Sequence, residues 1–103
     1  MVQRPEIVCI CGSMRFALQI REANGQLTLA GAIVLAPGET RLVGDGALSM
    51  EQQAKLDALH RQKIDLADRV LVVNQGGYLG ESTRSEIDYA RAMGKPVSFT
   101  EPQ

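Results

Sequence analysis

An α/β fold built on a parallel sheet is what this sequence predicts, and three observations predict it. Residues 7–11 and 32–36 are short, continuous apolar runs rich in β-branched residues, and residues 69–74 (RVLVVN) carry another between Arg69 and Asn74. Continuous rather than alternating apolar runs are the pattern of strands buried on both faces. Stretches with helical spacing separate these runs, and strands alternating with helices imply a parallel sheet. The 103 residues, 45% of them apolar, suffice for one compact core, so residues 1–103 are expected to form a single domain.

The first strand, residues 7–11, stops at Gly12-Ser13. A helix over residues 14–29 follows, with Phe16, Leu18, Ile20, Ala23, Leu27 and Ala30 in loose helical spacing. Gly25 interrupts it, and glycine inside a helix costs stability. Residues 32–36 form the second strand, closed by Pro37-Gly38. Three glycines make residues 37–48 a loop. Ser49, with Gln52 three residues on, is a capping box that opens a long helix to about Ala67. Leu56, Leu59, Lys63 and Leu66 form its expected buried stripe. Residues 69–74 are the clearest strand, and residues 75–80 a glycine-rich loop. Ser82 or Thr83 then caps a helix to Met93, ended by Gly94 and Pro96. Residues 97–99 are a last short strand. The expected architecture is a small doubly wound sheet, flavodoxin- or Rossmann-like, with four strands in order 2-1-3-4 and helices on both faces.

Composition narrows the function. Eleven Lys and Arg against twelve Asp and Glu leave no basic excess for a nucleic-acid polymer. No apolar run approaches the ~18–20 residues of a membrane span, and the start of the chain enters a strand directly. The expectation is a cytoplasmic protein. The only cysteines, Cys9 and Cys11, lie two apart in one strand, on one face, and are badly placed to bond to each other. Two cysteines and a distant His60 fall short of a metal set. Small buried hydrophobes are expected instead, with no metal and no cofactor.

Ligands of doubly wound sheets bind beyond the carboxyl ends of the strands, where the strand order switches. Two loops leave the sheet there, one after each central strand. In the first, Gly12 permits close backbone approach, and Ser13 and Arg15 suit a phosphate or another anion. The same residues also serve as a plain strand-to-helix turn with Ser13 as cap. In the second, Gly76, Gly77 and Gly80 flank Tyr78, which either stacks on a base or sugar or covers the sheet end. Thr83 as cap would put Glu86 at the third helical position, in a capping box. The same placement keeps a carboxylate ionised beside the positive helix end, where it can attack an anomeric carbon. Asp68 reads as a turn or surface residue far from this edge, and His60 lies about two helical turns nearer to it.

Four segments resemble the nucleoside 2-deoxyribosyltransferase superfamily. They are residues 7–15 (IVCICGSMR), 67–73 (ADRVLVV), 82–90 (STRSEIDYA) and 94–97 (GKPV). The first is closest to the branch of 2′-deoxynucleoside 5′-monophosphate N-glycosidases. The resemblance covers the first ~15 and last ~40 residues, and the third segment is its most specific part. It implies Glu86 as nucleophile, and Gly12, Ser13 and Arg15 as holders of the sugar 5′ side or its phosphate. The chain departs from the pattern at Asp88, where the family has Gly, and at His60, where it has an Asp that orients or protonates the substrate. Its glycine-rich segment before the third helix is also longer.

The implied activity is cleavage of the base–sugar bond of a nucleoside or its 5′-monophosphate, by hydrolysis or by transfer to a second base. Glu86 and His60 would be catalytic, and Gly77, Tyr78, Gly80, Ser82 and Thr83 would join Gly12, Ser13 and Arg15 in binding. The alternatives are a non-catalytic nucleotide sensor on the same scaffold and a glycine-rich-loop phosphoribohydrolase. The resemblance further implies a homodimer or larger assembly.

Overall fold

Four parallel strands stand in the order β2-β1-β3-β4. The computed structural model describes residues 4–44 and 46–103. In chain order the elements are β1 (Ile7–Gly12), a 3-10 turn (Met14–Phe16), α1 (Ala17–Leu29), β2 (Ile33–Leu35) and α2 (Met50–Leu66). They continue with β3 (Arg69–Val73), a second 3-10 turn (Gln75–Gly77), α3 (Glu81–Ala92) and β4 (Val97–Phe99). Strand order and parallel pairing are those expected from the sequence. β1 and β3 run side by side from Val8 against Arg69 to Gly12 against Val73. The edge strands β2 and β4 have three residues each, which leaves little open ladder for another chain to pair with.

The sheet is covered on both faces because β1 and β3 carry apolar side chains on both. Ile10 and Val73 pack under α1 against Ile20 and Ala23. Cys9, Cys11, Val70 and Val72 face the other way, against Ile64 of α2, Ala67 just after it, and Ile87 and Ala90 of α3. Helix α1 runs on through Gly25, although glycine there is exposed and no described residue packs on it.

Helix α2 starts at the capping box read from the sequence. Ser49 Oγ accepts from Gln52 N at 3.1 Å, and Ser49 N donates to Gln52 Oε1 at 3.0 Å. Its buried stripe differs from the expected one. Leu59 is 47% exposed and Leu66 66%, while His60 and Ile64 point inward. The inward face is thus turned by one residue, and His60 meets the thiols that β1 presents to the helix. Lys63 remains half-buried, its Nζ donating to Ala36 O at 2.8 Å. Lys95 Nζ donates to the last carbonyls of α2, Asp65 and Ala67, at 3.1 and 2.8 Å, where a cation suits the helix dipole.

The start of α3 is a second correction. The N-cap is Gly80, not Ser82 or Thr83, and Thr83 is buried at the third helical position. A Cβ added at position 80 would lie in ordinary van der Waals contact with Tyr78, about 3.5 Å from its hydroxyl, so space alone does not demand glycine as the cap. Glu86 therefore falls in the second turn, and the Thr83–Glu86 capping box does not form. Asp68 sits at the opposite edge of the sheet, as expected. It accepts from Ile7 N at 2.8 Å and takes both guanidinium nitrogens of Arg4 at 2.7 Å.

Candidate active site

A cavity of about 530 Å³ opens at the carboxyl edge of the sheet, beside the end of β1. That edge is where the switch in strand order leaves a crevice. Gly12 and Ser13 form one side of it. Helix α2 contributes Leu56, His60 and Lys63, and the start of α3 contributes Gly80 to Thr83 and Glu86. The loop after β2, from Pro37 to Arg41, closes the far side. An ion pair between Arg21 of α1 and Glu39 holds that loop down. The loop's role as a wall was not legible in its sequence, which carries turn residues and nothing that marks a site.

Seven of the expected site residues meet in this cavity: Gly12, Ser13, His60, Gly80, Ser82, Thr83 and Glu86. Arg15, Gly77 and Tyr78 are not among its lining. They form a separate rim. The Arg15 guanidinium lies over the Tyr78 ring at 4.0 Å, and Tyr78 meets Phe16 edge-on at 5.8 Å. Arg15 is thus held by a cation–π contact rather than aimed freely at the cavity. Ser13 caps the turn beside it, its Oγ accepting from Arg15 N at 3.2 Å. Gly76 and Gly77 hold positive φ of 66° and 81°, which explains two of the glycines in the second loop.

Below the rim, Asn74 anchors the end of β3. It is fully buried and fully bonded. Its amide donates to Glu101 O at 3.1 Å and accepts from Glu101 N at 2.9 Å and Thr100 Oγ1 at 3.2 Å. The Glu101 carboxylate in turn accepts from Gly76 N. The C-terminal segment is thereby tied to the glycine-rich loop.

The chemistry gathers at the floor. Glu86 Oε1 lies 3.7 Å from His60 Nε2, with the two side chains 19% and 8% exposed. The same His60 Nε2 lies 3.3 Å from Cys11 Sγ and 3.7 Å from Cys9 Sγ. This corrects the expectation that the cysteines are inert and His60 distant from them. The signal was present in the sequence: two cysteines on one strand face must meet whatever the covering helix presents.

These four groups shift one another. Burial raises the pKa of Glu86, against the pull of His60 and a hydrogen bond with Cys11. Burial opposes the charged form of His60, but its hydrogen bond with Cys9 and the charge of Glu86 outweigh that and raise its pKa. The hydrogen bond between the thiols lowers Cys9 and raises Cys11, with burial adding to the rise at Cys11. A half-buried carboxylate paired with an imidazole at the bottom of a cavity is the kind of group that does acid–base or nucleophilic chemistry.

No protein-family model matches this chain, and no curated protein matches it. Among solved structures, it superposes on a 2-deoxyribosyltransferase from the psychrotolerant bacterium Bacillus psychrosaccharolyticus with a TM-score of 0.71. The match covers 94% of this chain and 76% of that one, at 19% identity. That protein is described as a biocatalyst for the synthesis of nucleosides. At such identity the likeness establishes a shared fold, the small doubly wound α/β sheet.

Proposed function

We propose that this chain cleaves the base–sugar bond of a nucleoside or nucleoside 5′-monophosphate through a covalent intermediate on Glu86. The observation that carries this reading is the Glu86–His60 pair, 3.7 Å apart on the floor of a cavity at the sheet crevice. The fold shared with a 2-deoxyribosyltransferase and the resemblance of residues 82–90 support it.

In this reading the ionised Glu86 attacks C1′. The C1′–O bond to Glu86 forms as the C1′–N bond to the base breaks, and the electron pair leaves with the base. His60, kept protonated by its neighbours, supplies the proton that the departing base takes up. Water then attacks C1′ for hydrolysis, or a second base does so for transfer, and Glu86 is released as a carboxylate. Ser13, which lines the cavity at the end of β1, holds the 5′ side of the sugar through its hydroxyl. Arg15 and Tyr78 act at the rim, next to that same 5′ end.

The test is release of free base, followed by chromatography, from a panel of nucleosides and their 5′-monophosphates. Wild-type protein releases base, and Glu86→Gln, which keeps size but removes the charge, does not. A variant as fast as wild type would refute Glu86 as nucleophile. A bound nucleotide recovered intact after long incubation would favour a binding domain instead.

A further inference from the structure

Cys9 and Cys11 touch no substrate in the reaction proposed above, yet both are fully buried and both turn toward the same nitrogen of His60. The three ligand atoms lie within 4.8 Å of one another. A tetrahedral zinc ion, with Zn–S of about 2.3 Å and Zn–N of about 2.0–2.1 Å, separates sulfur from nitrogen by about 3.6 Å. The observed sulfur–nitrogen separations are 3.3 and 3.7 Å, on either side of that value.

We propose that Cys9, Cys11 and His60 form a binding site for a thiophilic divalent cation, zinc above all, with its fourth position facing Glu86. The choice of ion follows from the donors. Two thiolates and an imidazole are soft and borderline ligands that favour zinc over calcium or magnesium. Two thiolates also cancel the charge of a divalent ion, which makes its burial tolerable. The ligands are well supported. The cysteines sit on the central strand β1 at fixed spacing, and His60 sits in the middle of α2, packed on that strand. His60 and Glu86 both line the cavity, so the ion has a path from solvent. On binding, two S–Zn bonds and one N–Zn bond form, and any protons still on the thiols and on Nε2 pass to water. No oxidant or reductant is needed.

Glu86 Oε1 already lies 3.7 Å from His60 Nε2, and a modest side-chain shift brings it onto the metal as fourth ligand. The cation then competes for the carboxylate that the proposed reaction needs, and zinc inhibits. This regulatory consequence rests on the proposed function, whereas the metal site does not.

The experiment uses the reduced, chelator-stripped full chain titrated with Co²⁺ and then with Zn²⁺. The expected result is one Co²⁺ per chain with intense tetrahedral d–d bands and a near-ultraviolet thiolate-to-cobalt band, both erased by zinc. Zinc also protects both thiols of the wild-type protein from alkylation. Losing both cysteines in a Cys9→Ser, Cys11→Ser double variant removes the bands and weakens zinc by more than the roughly 10–100-fold that even outer-shell partners are worth. Weak octahedral cobalt bands, or thiols that zinc leaves open to alkylation, overturn the site, and both are read on wild-type protein even if the double variant fails to fold. Base release measured beside these titrations separates the two claims. Stoichiometric zinc binding by a chain that releases no base even when metal-free leaves the metal site standing and removes the proposed activity. Base release without zinc binding does the reverse.

Discussion

Replacing Gly12 and Gly25 by alanine moves stability in opposite directions, although both positions are glycine. A Cβ built on Gly12 lies 3.0 Å from the Val73 carbonyl oxygen and 3.3 Å from Val73 Cβ. That oxygen belongs to backbone, at the position where Gly12 and Val73 face each other in the central ladder. It cannot rotate away as a side chain can, so β1 and β3 must part. Overpacking of this kind costs about 1–3 kcal/mol. At Gly25 nothing lies within 4 Å of the added Cβ, and the residue is inside α1. Alanine there gains about 0.5–1 kcal/mol, from helix propensity and a less flexible unfolded chain. For a domain of this size, 1 kcal/mol moves Tm by ~4–8 °C. Gly12→Ala is therefore expected to lower Tm by roughly 5–20 °C, and Gly25→Ala to raise it by about 2–8 °C. Urea unfolding with linear extrapolation measures both at constant m. A Gly12→Ala protein within ~0.5 kcal/mol of wild type would refute the tight approach of the two central strands, on which the placement of Ser13 depends.

The remaining predictions concern the floor and the rim. Base release should follow a bell-shaped pH profile displaced upward on both sides. Glu86 must be ionised, so the rate climbs as pH rises through its raised pKa, above the ordinary carboxylate range. His60 must be protonated, so the rate falls as pH rises through its own raised pKa, above the ordinary imidazole value. The two limbs belong to the coupled pair, and a kcat/KM that is flat with pH contradicts the pairing. Asn74→Ala deletes three hydrogen bonds at a fully buried site and should cost about 2–4 kcal/mol. Amide exchange at Thr100 and Glu101 should quicken more than exchange within β1, and unchanged exchange there would show that Asn74 does not hold the C-terminal segment.

The strand order was legible because continuous apolar runs and intervening helices admit few parallel topologies. The start of α2 was legible because Ser49 and Gln52 are a local signal that needs no tertiary context. The start of α3 was not. Three residues, Gly80, Ser82 and Thr83, can each begin a helix, and the choice among them is made by the fold, which buries Thr83 at the third helical position. The phase of α2 was misread for a related reason. Leucine outranks histidine as a buried residue in general, yet here the helix covers two thiols, and His60 faces inward while Leu59 is left at the surface. The wall formed by residues 37–41 was invisible because its place comes from tertiary contacts between distant parts of the chain, among them the exposed Arg21–Glu39 ion pair and the Lys63–Ala36 hydrogen bond. Glu86 was found from its neighbours in sequence, but its partners Cys11 and His60 come from a strand and a helix that only the fold brings together.

In the proposed reaction everything turns on a covalent bond between Glu86 and the sugar. The most direct measurement is mass spectrometry of the protein quenched with acid during turnover of a 2′-deoxynucleoside 5′-monophosphate. The expected result is an added deoxyribosyl phosphate mapped to the peptide that contains Glu86, and its absence in Glu86→Gln. Free base appearing at the same rate in wild type and Glu86→Gln, with no adduct on either protein, would contradict it.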